Sequence, residues 1–235
     1  MPTTFHQELA NLKIKLLEMS SLVEELLKDT ILAFNKRNIY AAHCIIDKDE
    51  VIDRLENEID HQCLKLLALQ QPMAIDLRFI TTAMRINIDL ERMGDQAVNI
   101  AERVVLMAEE PFMIKPLGLN RMAGQCQDML REAIDSFVNQ DTRIAASVCA
   151  RDDVIDNLYL KVVCDILEHM MNDPSTISQG VHLLIIALNL ERIADLSTNI
   201  AEDVIFMVEG RVIRHIGEQG KEGEKAESTK LKAES

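Results

Sequence analysis

Ile86, Leu90, Met93, Ala97, Ala101 and Val104 recur at spacings of three and four, the period that lines apolar side chains along one stripe of an α-helix. Glu91, Asp95, Asn99 and Glu102 form a second stripe, turned by more than a right angle from the first at 3.6 residues per turn. An earlier segment repeats the arrangement: Ile45, Ile52, Leu55, Ile59 and Leu66 make an apolar face, and Asp49, Asp53, Glu56 and Asp60 line its border. Long stretches without Gly or Pro, rich in Leu, Ile and Met, carry this period through most of the chain. Pro72, Pro111, Pro116 and Pro174 mark the joints. The pattern predicts six helices, at about 5–37, 40–70, 75–109, 119–139, 142–171 and 176–209.

The chain also repeats itself. The fifteen residues from Leu90 to Val104 return from Leu190 to Val204 with nine identities. Asp49-Glu50-Val51-Ile52-Asp53 returns as Asp152-Asp153-Val154-Ile155-Asp156, and Phe34 returns as Phe137, both at an offset of 103 rather than 100. The first half therefore carries three extra residues between its two motifs. A duplicated three-helix unit predicts an all-α protein of two tandem three-helix bundles, one over 1–110 and one over 111–216. Residues 217–235, with almost nothing to bury, read as a disordered tail.

Composition changes the picture in two ways. There are 39 acidic against 25 basic side chains, a net charge of −14, which repels phosphate backbones and argues against a nucleic-acid partner while leaving cations and basic protein surfaces open. The tail holds five acids and four lysines, so about −13 of that charge belongs to the helical body. The five cysteines are odd in number and never in C-x-x-C spacing, which suits buried thiols in a reducing compartment. Residues 1–8 lack the basic start and apolar run of a signal peptide. The most apolar stretch, Val181 to Leu190, contains His182 and Asn189 and stops at Glu191, short of the ~18 apolar residues of a membrane span. The expectation is a cytoplasmic protein without membrane insertion.

The charge concentrates in acid-x-x-x-acid pairs: Asp49 with Asp53, Glu91 with Asp95, Asp152 with Asp156, and Glu191 with Asp195. That spacing stacks two carboxylates on consecutive turns and disfavours an isolated helix by roughly 0.2–0.5 kcal/mol per pair. A solvated acidic face screens so small a cost, and this is the bland reading of any one pair. Four pairs in duplicated positions favour a second reading, in which hard or borderline cations turn the repulsion into coordination by oxygen ligands. Spacing leaves both open, and leaves the metal open.

Other features carry less. Arg92 and Arg192 lie on another side of their helices and read as solvated or ion-paired. Gly94, where the repeat has Ala194, marks close helix packing. Glu58 and His61 form one Glu-x-x-His, whereas di-iron carboxylate bundles use two. The phosphate-binding loop, the dinucleotide glycine fingerprint, the zinc-protease H-E-x-x-H and the G-x-S-x-G nucleophile elbow are all missing, so no catalytic residue and no enzymatic activity is expected. A metal-dependent carboxylate-bundle enzyme or a metal-storage protein is the alternative.

The paired Leu90-Glu91-Arg92-Met93-Gly94-Asp95 and Leu190-Glu191-Arg192-Ile193-Ala194-Asp195, each followed by Asn-Ile-Ala-Glu, resemble the PhoU family. Gln71 to Arg78 and Glu209 to His215 add to the resemblance, which covers roughly residues 5–215. It implies frequent homodimers and multinuclear metal clusters, of iron or zinc, at the duplicated acidic motifs. The ligands it implies are Asp49, Asp53, Glu91 and Asp95 in the first half and Asp152, Asp156, Glu191 and Asp195 in the second. Asn99, Glu102, Asn199 and Glu202 are weaker candidates on the same stripes. It also implies a negative regulator of the phosphate-starvation response, an adaptor between the phosphate ABC transporter ATPase and its sensor histidine kinase that modulates phosphate uptake. Ala194 for Gly94, and the shorter acidic border after Asp156, imply that the two metal sites differ.

Overall fold

The computed structural model describes residues 4–108 and 117–211. Among them every regular element is helical: α1 (Thr4–Lys36), α2 (Ile39–Gln70), α3 (Ala74–Met107), α4 (Leu117–Asn139), α5 (Thr142–Cys149), α6 (Asp152–Asn172), a single 3₁₀ turn at Pro174–Thr176, and α7 (Ile177–Glu209). The first three helices form one up-down bundle and the remainder form its duplicate. The division between residues 110 and 111, and the tail at 217–235, lie outside the described residues.

One expected helix is two. The segment 142–171 breaks at Ala150 and Arg151, where ψ rises to −12° and −10°. The Arg151 N–H bonds the Val148 carbonyl three residues back at 3.0 Å, so the last turn tightens into 3₁₀ form. The Arg151 guanidinium then pairs with Glu132 on α4. Periodicity runs through this point because a tightened turn moves the apolar stripe by only a fraction of its width.

The duplication is visible in the turns. Arg37 and Gln140, a repeat apart, both take the left-handed backbone at φ 53°. The residues that follow them, Asn38 and Asp141, both cap the next helix, accepting from the N–H of Ala41 at 3.1 Å and of Arg143 at 2.9 Å. Such caps satisfy amide groups that the first helical turn leaves without a partner. Across the next turn the halves diverge. Gln70 and Ala74 are separated by Gln71-Pro72-Met73, while their counterparts Asp173 and Pro174 are consecutive. These three residues are the insertion that changes the repeat offset from 103 to 100.

The halves share one core, in which the buried apolar side chains of all seven helices form a single cluster. Its seam is the packing of α3 against α7, the most extensive between any two helices. Arg78 Nε donates to the Met207 carbonyl at 3.0 Å and Thr82 Oγ1 to that of Asp203 at 3.5 Å, so the two helices run antiparallel. A residue of α3 then faces its own duplicate beside Arg92 and Met93, which places the acidic pairs of both helices next to the pseudo-dyad. α7 is long and apolar enough by composition to cross a membrane. Half of its most apolar window is buried in the protein, against α3, α4, α5 and α6, so the core accounts for that composition.

Two glycines show what close packing demands. A Cβ on Gly94 would meet Ile52 Cδ1 at 3.0 Å, so α2 and α3 approach closely there, as the sequence suggested. Gly124, inside α4, has nothing within 4 Å of that position. Replacing it with Ala removes backbone freedom from the unfolded chain without a clash, and Gly124→Ala is expected to stabilise the protein by about 0.5–1 kcal/mol. Urea denaturation of the variant beside the parent measures it.

Candidate metal centre

The acidic pairs face each other in helix pairs, α2 with α3 and α6 with α7. In the second half, ligand oxygens of Asp156, Glu191 and Asp195 lie within 4.8 Å of one another. Asp152 stands beside them, close enough that its charge acts on Asp195 and Glu191. Among the described residues this is the one group of three that meets so closely. The first-half set of Asp49, Asp53, Glu91 and Asp95 is mutually coupled as well, without three ligand oxygens that meet as closely. The eight sequence candidates thus assemble into two clusters of four.

Each cluster contains carboxyls that resist ionisation. Burial, then repulsion from Asp95, Glu56 and Asp53, pushes Glu91 up to about 7 against the pull of Arg92. Burial, then Glu191, Asp152 and Asp156, pushes Asp195 up to about 7, opposed by Arg192. Asp49, Asp95, Asp152 and Glu191 are all raised, with burial the first cause in each. Like charges held together at partly buried positions cost free energy unless protons or cations balance them. The donor set contains only oxygens, which suits hard cations better than thiophilic ones, so the residues fit a bound metal of that kind.

The surroundings of the two clusters differ. A cleft of about 660 Å³ runs beside the second, with Asp152, Asp195, Asn199 and Glu202 on one wall and Arg85 and Arg92 of α3 on the other. Arg85 pairs with the buried Asp203 at 2.9 Å and lies over the Phe206 ring at 5.6 Å. Arg92 is 3.7 Å from Asp89 and mostly exposed, as its helical position suggested. Glu102 pairs with Arg103 at 3.2 Å. Glu58 binds Lys15 at 2.6 Å, and His61 belongs to a separate groove between α1 and α2, so the lone Glu-x-x-His takes no part.

Sequence reasoning missed Thr198 and Cys149. Thr198 Oγ1 donates to Asp152 Oδ1 at 3.2 Å. The Cys149 thiol is pushed up to about 11 by burial, then by Glu202 and Asp152, so it stays protonated near neutral pH. Their positions relative to Asp152 depend on the break before α6, which periodicity does not reveal.

Comparison with known proteins accords with this architecture. The PhoU domain matches residues 16–104 and 119–204, once per half. An Aquifex aeolicus protein named phosphate-specific transport system accessory protein PhoU homolog is 39% identical over 209 residues, spanning 89% of this chain and 95% of that one. A Caulobacter vibrioides protein of the same name is 36% identical over 208 residues, 88% of this chain and 90% of that one. The crystal structure of PhoU from Pseudomonas aeruginosa superposes with a TM-score of 0.86 at 34% identity, covering 88% of this chain and all of that one. The phosphate transport system regulatory protein PhoU from Streptococcus pneumoniae gives 0.84 at 31% identity, covering 89% and 99%.

Proposed function

Starting from the fact that this chain belongs to the PhoU family, we propose that it regulates phosphate-specific transport as a cytoplasmic adaptor. It couples the phosphate ABC transporter ATPase to a sensor histidine kinase and holds the phosphate-starvation response off when phosphate is plentiful. The observation that carries this reading is the match along 95% of a relative named as a transport-system accessory protein. An adaptor of this kind works by binding one state of its partners better than another, so its action is differential affinity rather than bond chemistry. The protein acts as a homodimer, with cations held at the two carboxylate clusters.

The metal part of the reading is supported by two sets of four acids in duplicated positions, with raised carboxyls in both. A bound cation removes the repulsion and lets each set tie two helices together across a turn of sequence. The cations are then part of the surface and stiffness that a partner meets.

The test is a tagged full-length protein recovered from cells grown in high and low phosphate. Both the transporter ATPase and the sensor kinase are expected with it, in proportions that change with phosphate. Recovery of neither under any phosphate or metal condition would rule the adaptor out.

A further inference from the structure

The two carboxylate clusters descend from one repeat but are not built alike. Asp152 is the first residue of α6, where the unpaired amides and dipole of a helix N-terminus favour a carboxylate. Its counterpart Asp49 sits in the interior of the continuous α2. Asp152 also accepts the Thr198 hydroxyl at 3.2 Å, a bond that crosses from α7 to α6. The neighbouring Ser197 hydroxyl stays on its own helix, donating to the Ile193 carbonyl at 2.8 Å. In the first half the position of Thr198 is occupied by Val98, which packs against the core and has no hydroxyl to give. The closest convergence of ligand oxygens, that of Asp156, Glu191 and Asp195, also belongs to the second half, with Asp152 near enough for its charge to act on Glu191 and Asp195.

Resting on the cation-binding reading above, we infer that Thr198 is a positioning residue that makes the second-half cluster bind its cation more tightly than the first-half cluster. A hydroxyl bonded to Oδ1 restrains the Asp152 carboxylate to one rotamer beside the cluster. Less side-chain freedom is then lost on binding. Partners that orient a ligand in this way are typically worth 10- to 100-fold in metal affinity. Val98 supplies no such restraint, so Asp49 must be ordered by the cation itself. The duplication provides its own control, since each half can be given the other's residue.

The experiment titrates Mn²⁺ into chelator-stripped full-length protein by calorimetry. Glu91→Gln with Asp95→Asn leaves the second-half cluster to be read alone, and Glu191→Gln with Asp195→Asn leaves the first. The second-half cluster is expected to bind about 10-fold more tightly. In that background Thr198→Val brings the affinity down to the first-half value while Thr198→Ser retains it, and in the other background Val98→Thr tightens the first-half cluster. Helicity and melting of each variant before titration show that it is folded, and Val98→Thr keeps the test open if Thr198→Val is not. Mn²⁺ binding that is equal in the two halves, or unchanged by Thr198→Val, overturns the role of Thr198 and leaves the cation sites standing. No Mn²⁺ binding by the parent protein overturns the cation reading, and this inference with it.

Discussion

Protein stripped of metal by a chelator is expected to gain about 7 kcal/mol of unfolding free energy when a cation is supplied at about 100 times the dissociation constant of its weaker cluster. The first-half cluster then contributes about 2.7 kcal/mol by mass action and the tighter second-half cluster about 4.1 kcal/mol. The gain depends on pH in a direction set by the raised carboxyls. Glu91 and Asp195 hold their protons up to about pH 7 in the folded protein, whereas in the unfolded chain they lose them near pH 4. Between those values the folded state binds more protons, so the cation-free protein loses stability as pH rises through this window and levels off above 7. Cation binding displaces the same protons and therefore weakens as pH falls below 7. Glu91→Gln and Asp195→Asn are expected to stabilise the cation-free protein at pH 8 and to remove most of the gain from added metal. Denaturant unfolding from pH 5 to 8, with and without Mn²⁺, reads both effects. Equal stability with and without cation at pH 8 would show that the clusters are only solvated acids.

Phe137→Ala is expected to cost about 3–5 kcal/mol, the usual range for removing a buried ring. Phe137, on α4, is 1% exposed and stacks on Phe79 of α3 at 5.6 Å between centroids with the planes 18° apart. The ring thus joins the two halves, and its loss strips Phe79 of a partner as well as leaving a cavity. The walls belong to long helices fixed along their whole length, which cannot close on so large a void. The shift in denaturation midpoint measures the cost, with Phe137→Leu restoring part of it. A change below 1 kcal/mol would mean that the halves are not coupled through this contact.

Much of this architecture is legible in the residues. Helix positions follow from the period of Ile86 to Val104 and its relatives, and the repeat follows from nine identities in fifteen. Acid-x-x-x-acid spacing identifies the side chains that meet, because helix geometry alone decides which carboxylates share a face. What sequence does not disclose is how helices are set against one another. The break before Asp152 leaves the periodicity nearly intact, so its consequence for Thr198 and Cys149 stays hidden. The Arg85–Asp203 pair joins residues 118 apart with no shared motif. Nor does the pattern reveal that the second cluster is the more closely gathered, since the acid-x-x-x-acid pairs stand at corresponding positions in both halves.

The seam between α3 and α7 also bears on how the chain is made. Contacts such as Arg78 with Met207 join residues 129 apart, and α7 is the last of the described helices to leave the ribosome. At roughly 5–20 residues per second, α3 waits on the order of 5–20 seconds before the helix that covers its inner face exists. During that interval the nascent first half presents an open apolar strip next to its own acidic cluster. Such a strip favours self-association, and the net negative charge of the chain opposes it.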